Sequence, residues 1–353
     1  MKIRHTVLWF IVFSFALTLV AAPSFAAEHP KTLVSEDYFV KAQDPGIQLF
    51  VRNKHVKGTN TFASDKIVLF VHGATYPAET AFDLQLDGFS WMDYIARRGF
   101  DVYLMDLRGY SRSTRPPEMS QPADKNSPVV DTDAAIRDVS AVVNSILARR
   151  HVSRVNLIGW SWGTMIMAGY TSKNNDKVEK LILYAPLWLG SVTTISISKN
   201  LPAYRSVSMA AAKNRWLSGV ADDKKKDLIP EGWFEKWAAA TQATDPEGAA
   251  MTPPVLRAPN GVLQDIRDYW MAGKPYYDPT TIKVPVMLVN AEWDADTPLV
   301  MSQGLFEKIT NAPYKRRIII GEGTHTVIME RNRMQLFREV QLFLDEPRSM
   351  STK

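Results

Sequence analysis

The chain has 353 residues, 46% of them hydrophobic, with 42 Lys and Arg against 37 Asp and Glu and no cysteine. That length and apolar content give a globular protein with a sizeable core and exclude one that is mainly disordered. A net charge of +5, near +3 once Lys2 and Arg4 are set aside, is too small a bias to point to nucleic acid, and no disulfide framework exists.

Lys2 and Arg4 precede an uncharged apolar run, Val7 to Val20, which ends in Ala21-Ala22-Pro23-Ser24-Phe25-Ala26. This reads as a secretory signal peptide over residues 1–26, with Ser24 and Ala26 suiting cleavage before Ala27. A retained anchor is the alternative, against which stands an apolar core shorter than a comfortable span. The expectation is a periplasmic or secreted protein with no stable membrane association after cleavage.

Tyr38-Phe39-Val40 and Ile47 to Val51 flank Asp44-Pro45-Gly46, a turn composition, so a hairpin is expected at a sheet edge. Lys66 to Val71 is a continuous apolar run of the kind buried on both faces of a parallel sheet, and it ends at His72-Gly73-Ala74. The spacing predicts a helix over Phe82 to Arg98 that stops at Gly99, then a strand from Phe100 to Met105. Arg115 to Pro128 is rich in Pro, Ser and charge and reads as a surface loop. Ile136, Val139, Val142, Val143, Ile146 and Leu147 recur at helical spacing behind a cap at Asp131 or Thr132. Further strands are expected at 154–158, 178–184, 284–289 and 317–320.

Strand and helix alternate, so the fold class is α/β, a mainly parallel twisted sheet with helices on both faces. The alternation breaks from Leu187 to Thr281, which carries helical patterns at 201–217, 232–240 and 263–271, together with Trp188, Trp216, Trp233, Trp237 and Trp270. An insertion of that size between sheet strands reads as a helical cap over the strand ends. The basic run Lys224 to Lys226, bracketed by Asp222, Asp223 and Asp227, is a solvated helix face.

The chemistry centres on Gly159-Trp160-Ser161-Trp162-Gly163, which follows the 154–158 strand and precedes the small and apolar stretch Thr164 to Tyr170. Strand, sharp turn and helix hold a serine hydroxyl out at the top of a sheet. A serine needs a base, an orienting carboxylate and donors for an oxyanion. Of six histidines, His5 lies in the signal, His29 in the N-terminal tail, His55 in an edge loop and His151 at the far end of the strand before Ser161. His72 suits a loop-shaping role. His325 follows the last strand, and all parallel strands end on one side, so it is the expected base. After Val289 come Glu292, Asp294 and Asp296. Asp294 is the chosen carboxylate; Asp296 precedes Thr297-Pro298 and suits helix capping, and Glu292 suits a structural salt bridge. The backbone N–H groups of Ala74 and Trp162 are the expected oxyanion donors.

These residues together resemble the α/β-hydrolases. The resemblance rests on Val68-Leu69-Phe70-Val71-His72-Gly73, on Asp106-Leu107-Arg108-Gly109-Tyr110-Ser111-Arg112-Ser113, on the turn at Ser161, and on Asp294 and His325 following in that order. One departure is Ser111, where such chains usually have glycine. The cap after the sixth strand is similar to that of the capped branch holding proline iminopeptidases, esterases, epoxide hydrolases and haloalkane dehalogenases; Ser161 argues against the last two, whose nucleophile is an aspartate. The resemblance implies a core over residues 27–186 and 282–353 with the cap at 187–281. It also implies a serine hydrolase with the triad Ser161, His325 and Asp294. No cofactor or metal is implied, since no cluster has ligand spacing. The expected partner is a small ester or acyl substrate, with Trp160 and Trp188 as pocket candidates. Glu231, Glu235 and Glu247 leave open an iminopeptidase-like amide hydrolase that would bind an amine, and an acyltransferase would use the same triad.

Overall fold

The computed structural model describes residues 31–190, 194 and 197–348, so the expected signal segment at residues 1–26 lies outside the described residues. Strands β1 (Leu33–Lys41) and β2 (Gln48–Val56) form the expected antiparallel hairpin, with Gly46 at φ 77° in its turn. His55 lies within β2 rather than in a loop. Strand β3 (Ile67–Val71) is buried along its whole length. The helix expected over Phe82 to Arg98 is instead two short ones, α1 (Ala78–Phe82) and α2 (Trp91–Ala96). Two residues of positive φ, Asp87 at 49° and Gly88 at 78°, break the helical path between them. Ser90 then starts α2 with a reciprocal capping box to Asp93.

Strand β4 (Asp101–Met105) leads into the loop of residues 106–131, and α3 (Thr132–Arg150) is capped by the Asp131 side chain, which accepts from the Ala134 N–H at 2.8 Å. Strand β5 (Val155–Trp160), helix α4 (Trp162–Lys173) and strand β6 (Val178–Tyr184) complete the first half. Residues 187–281 follow as an insertion between sheet strands. They are less helical than their sequence pattern implies. The stretch expected as one helix over 201–217 opens with strand β7 (Tyr204–Val207) before α5 (Met209–Trp216). Then come α6 (Asp222–Lys225), α7 (Trp233–Ala243), α8 (Pro246–Ala249), strand β8 (Leu256–Pro259) and α9 (Gly261–Asp265), which runs on as a wider π-helical turn over Ile266–Trp270. Strands β7 and β8 pair antiparallel as a separate ribbon. The chain returns to the sheet through β9 (Val286–Ala291), α10 (Leu299–Lys308), β10 (Lys315–Ile320) and α11 (Arg333–Asp345).

The sheet has eight strands in the order β1-β2-β4-β3-β5-β6-β9-β10, parallel from β4 onward. Its central strands read as apolar runs because both faces are covered, and alternate residues go to opposite cores. Leu69, Val71 and Leu157 face Val139, Val142 and Ile146 of α3 and Met165 of α4. Val68, Phe70 and Ile158 face Trp91 of α2 and Leu336, Phe337 and Val340 of α11, where Trp91 stacks on Phe337 with centroids 5.0 Å apart. Since β3, β5, β9 and β10 run parallel, the residues after their carboxyl ends converge on one edge of the sheet.

Candidate active site

Ser161 stands between β5 and α4 with φ 56° and ψ −120°, a conformation that costs a non-glycine residue about 1–3 kcal/mol. The surroundings leave it no other choice. A Cβ on Gly159 would lie 2.3 Å from the Gly163 carbonyl oxygen, and one on Gly163 would lie 2.5 Å from the Val71 carbonyl oxygen. The two glycines let the strand and helix meet at an angle that thrusts Ser161 outward, while its own N–H donates to the Tyr184 carbonyl at 2.9 Å. Gly73 is needed for a similar reason, since a Cβ there would sit 3.0 Å from the Ser161 Cβ.

The structure brings His325 and Asp294 together. His325 Nδ1 lies 3.0 Å from both Asp294 carboxylate oxygens. An ionised carboxylate only accepts, so Nδ1 carries the hydrogen and Nε2 is left to the cavity side. Asp294 is itself held by the Asp296 N–H at 3.0 Å, the Thr297 N–H at 2.8 Å and the Thr297 hydroxyl at 2.7 Å. The His325 carbonyl accepts from the Trp160 indole at 3.0 Å and the Tyr184 hydroxyl at 2.7 Å. Just before it, Thr324 donates its N–H to Glu330 at 3.0 Å, and Glu330 also accepts from the Trp216 indole at 2.7 Å. Glu330 is fully buried, and burial pushes its pKa up to about 7. Burial opposes the charged form of His325, but Asp294 and Asp296 together outweigh it and raise its pKa above the ordinary value.

His72 shapes the loop after β3, as the sequence suggested. Its Nδ1 lies 2.7 Å from the Gly73 carbonyl and its Nε2 accepts from the Leu107 N–H at 3.2 Å. Burial pushes its pKa down to about 4, so the ring is neutral at ordinary pH and Nδ1–H is the donor. A trans peptide places C=O and N–H on opposite sides. Pulling the Gly73 carbonyl toward His72 therefore turns the Ala74 N–H the other way. The Ala74 carbonyl is tied down by the Tyr110 hydroxyl at 2.7 Å and Arg205 at 2.5 Å. Trp162 opens α4, and the N–H groups of a first helical turn have no partner within the helix.

Two cavities meet at Ser161. One is lined by Tyr76, Trp160, Trp216, His325, Arg215 and Asp296 among others. The second is lined by Trp162, Leu187, Val262 and Ile266 and shares Ala74, Arg215 and Asp296 with the first. Trp160 lines the first of these cavities. Trp188 does not: it packs on Tyr277 with centroids 5.4 Å apart and borders a different groove with Leu189 and Tyr276. Asp296 does not cap α10 either; the residue before that helix is Pro298, no side chain caps it, and Asp296 instead pairs with Arg215 at 2.7 Å. Glu292 accepts from the Glu322 N–H at 2.9 Å, and among the described residues it bridges to no cation. Ser111 takes φ 43°, the left-handed conformation that explains why glycine is usual there. Among the described residues no group of His, Cys, Asp and Glu is placed to hold a metal ion.

Sequence reasoning missed Arg205, Arg215, Tyr76 and the role of Asp296. Arg215 and Asp296 are 81 residues apart, and nothing local marks the arginine. Trp216, flagged in the sequence as one of the inserted tryptophans, was the nearest signal.

No curated protein sequence matches this chain. Solved structures share its fold. The chain is similar to a serine hydrolase from the polyaromatic hydrocarbon-degrading bacterium Cycloclasticus zankles, with 15% identity over 88% of this chain and 98% of that one and a TM-score of 0.58. It is similar to a thermophilic esterase from Thermogutta terrifontis at 16% identity, 88% and 98% coverage and a TM-score of 0.55. A third is the 2-hydroxy-6-oxo-6-phenylhexa-2,4-dienoate hydrolase of a Rhodococcus species, at 12% identity, 88% and 100% coverage and a TM-score of 0.59. The alpha/beta hydrolase fold family matches residues 66–332, well over half the chain, and with that match and the eight-stranded sheet the protein belongs to the α/β-hydrolase family.

Proposed function

We propose that the protein is a serine hydrolase that cleaves a carboxylic ester, or a similar acyl bond, of a small to medium apolar substrate. The observation that carries this reading is Ser161 at a strained turn lining one cavity with His325, whose far nitrogen is bound to Asp294. Ser161 attacks the acyl carbonyl, and its proton passes to His325 Nε2. Asp294 keeps the imidazole oriented and stabilises the imidazolium. The Ala74 and Trp162 N–H groups hold the oxyanion, helped by the N-terminal end of α4. His325 returns its proton to the leaving group, then activates a water that frees the acyl chain from Ser161.

The two cavities divide the substrate between an aromatic side, with Tyr76, Trp160 and Trp216, and an aliphatic side, with Leu187, Val262 and Ile266. Beside the mutually paired Arg215 and Asp296, these aromatic and aliphatic side chains support an ester without charge at either end. Residues 187–281 act in this reading as the cap, since Leu187, Arg215, Trp216, Val262 and Ile266 border the cavities at Ser161. An amine-binding peptidase has less support. Glu235 pairs with Lys213, Glu247 pairs with Arg257, and none of Glu231, Glu235 and Glu247 lines the cavities at Ser161. The N-terminal pattern supports export to the periplasm or beyond.

The test is a panel of p-nitrophenyl esters of graded acyl length beside proline and alanine arylamides, with wild type and Ser161→Ala, in water and with added alcohol. Ester cleavage that vanishes in the variant supports the proposal. Arylamide cleavage alone, or esters turned over equally by the variant, overturns it, and transfer to the alcohol in preference to water makes the protein an acyltransferase.

A further inference from the structure

Asp296 stands on the opposite side of the imidazole from Asp294. Its Oδ2 lies 3.7 Å from His325 Nε2, the nitrogen that must accept the serine proton. That is just beyond a hydrogen bond, and a shift of about 1 Å would make one. A protonated imidazole gripped by a carboxylate at each nitrogen is a poor base, because both hydrogens are held by anions and neither site is open.

What occupies Asp296 instead is Arg215, from α5 in the insertion. Arg215 Nη2 binds Oδ2 at 2.7 Å and Nε binds Oδ1 at 3.2 Å, a two-point grip that includes the oxygen nearest the histidine. The Thr194 hydroxyl also donates to Oδ1. The guanidinium is anchored in turn on the core, where Nη1 donates to the Thr75 hydroxyl oxygen at 3.2 Å, and the same oxygen accepts from Arg205 at 2.9 Å. Asp296 is almost fully buried, so without Arg215 its charge would seek the nearest donor, and that donor is Nε2–H of an imidazolium.

We propose that Arg215 is a positioning residue that holds Asp296 off His325 Nε2, leaving that nitrogen free to take the Ser161 proton. The inference rests on the Ser161, His325 and Asp294 reading. The charged groups around the imidazole are Asp294 at Nδ1, Asp296 and Arg215 on the Nε2 side, Arg205 behind Thr75, and Glu330 behind Thr324. Asp296 is the carboxylate on the side of the reactive nitrogen, and among the described residues Arg215 is the cation that pairs with it besides His325 itself. Because Arg215 belongs to the inserted segment, the base is ready only while that segment lies over the core.

The experiment is the pH profile of kcat/KM for a neutral p-nitrophenyl ester with wild type, Arg215→Met, Asp296→Asn, the double variant and Arg215→Lys. The acid limb reports the histidine, since activity needs it neutral. Arg215→Met should move that limb up by about one pH unit, with about a tenfold loss near pH 6.5 that recovers at high pH. Asp296→Asn should move it down, the double variant should follow Asp296→Asn, and Arg215→Lys should restore most of the shift. A loss in Arg215→Met that is equal at every pH, and that Asp296→Asn does not relieve, overturns the proposal and makes Arg215 a substrate contact. If Arg215→Met does not fold, Asp296→Asn alone decides: an unmoved limb overturns the proposal. Fluorophosphonate labelling of wild-type Ser161 separates the two levels. Labelling with an unmoved limb refutes the role of Arg215 alone, while failure to label removes the triad and this inference with it.

Discussion

Gly163 is where the account of the turn is most exposed to refutation. A Cβ at this position would meet the Val71 carbonyl oxygen at 2.5 Å and the His72 carbonyl oxygen at 2.7 Å, both inside the 3.0 Å that real Cβ contacts essentially never breach. Both carbonyls are backbone, so Gly163→Ala must drive α4 and the end of β3 apart by about half an ångström, an overpacking that costs about 1–3 kcal/mol. The carbonyls lead directly into Gly73 and Ala74, so the shift displaces a proposed oxyanion donor relative to Ser161. A misplacement of about 1 Å can cost about a hundredfold in rate, which makes about tenfold in kcat the expectation for half of that. The assay is kcat and KM on an ester beside urea unfolding. Gly58→Ala is the control: Gly58 has φ +85° and nothing within 4 Å of its would-be Cβ, so that variant should lose about 1 kcal/mol and no activity. A Gly163→Ala enzyme destabilised as expected but with wild-type kcat would refute the link between the tight turn and oxyanion geometry.

Asp294→Asn should lower kcat by about three to four orders of magnitude with little change in KM, because an amide presents Nδ1 with the wrong partner; steady-state kinetics check this. His72→Ala should lower kcat by about a hundredfold by releasing the Gly73 carbonyl. With the His72 pKa near 4, that loss should be the same at pH 6 and pH 8, and a loss that grows with acidity would contradict it. Glu330 bears on stability. Its pKa in the folded protein, about 7, is above its unfolded value, so its contribution is fully present below the unfolded value and is lost as pH rises through about 7. Urea unfolding of wild type between pH 4 and pH 8.5 should lose about 3 kcal/mol from this group, and Glu330→Gln should flatten the curve.

How much the sequence reveals depends on how far apart the partners lie. The turn at Ser161 is legible because its cause is local: two glycines, a serine and a buried strand lie within the nine residues Val155 to Gly163. The meeting of His325 with Asp294 follows from parallel strands ending on one side, a rule that needs strand order but no side-chain detail. The helix expected over Phe82 to Arg98 fails because apolar spacing cannot reveal that Asp87 and Gly88 turn left-handed and that Ser90 starts afresh. The stretch 201–217 fails for a longer-range reason: β7 is a strand only because β8 pairs with it, and β8 lies some fifty residues on. Asp296 looked like a cap because Thr297-Pro298 follows it, and its real partner comes from α5. Trp188 faces Tyr277 and not the serine, which composition has no means to tell.

The most direct test of the central claim is labelling of the intact protein with a fluorophosphonate, with the modified residue located by peptide mass spectrometry and ester turnover followed in parallel. The expected result is stoichiometric modification of Ser161 alone, loss of turnover in step with labelling, and no labelling in Ser161→Ala. Modification of another residue, or turnover that survives full labelling of Ser161, would contradict it.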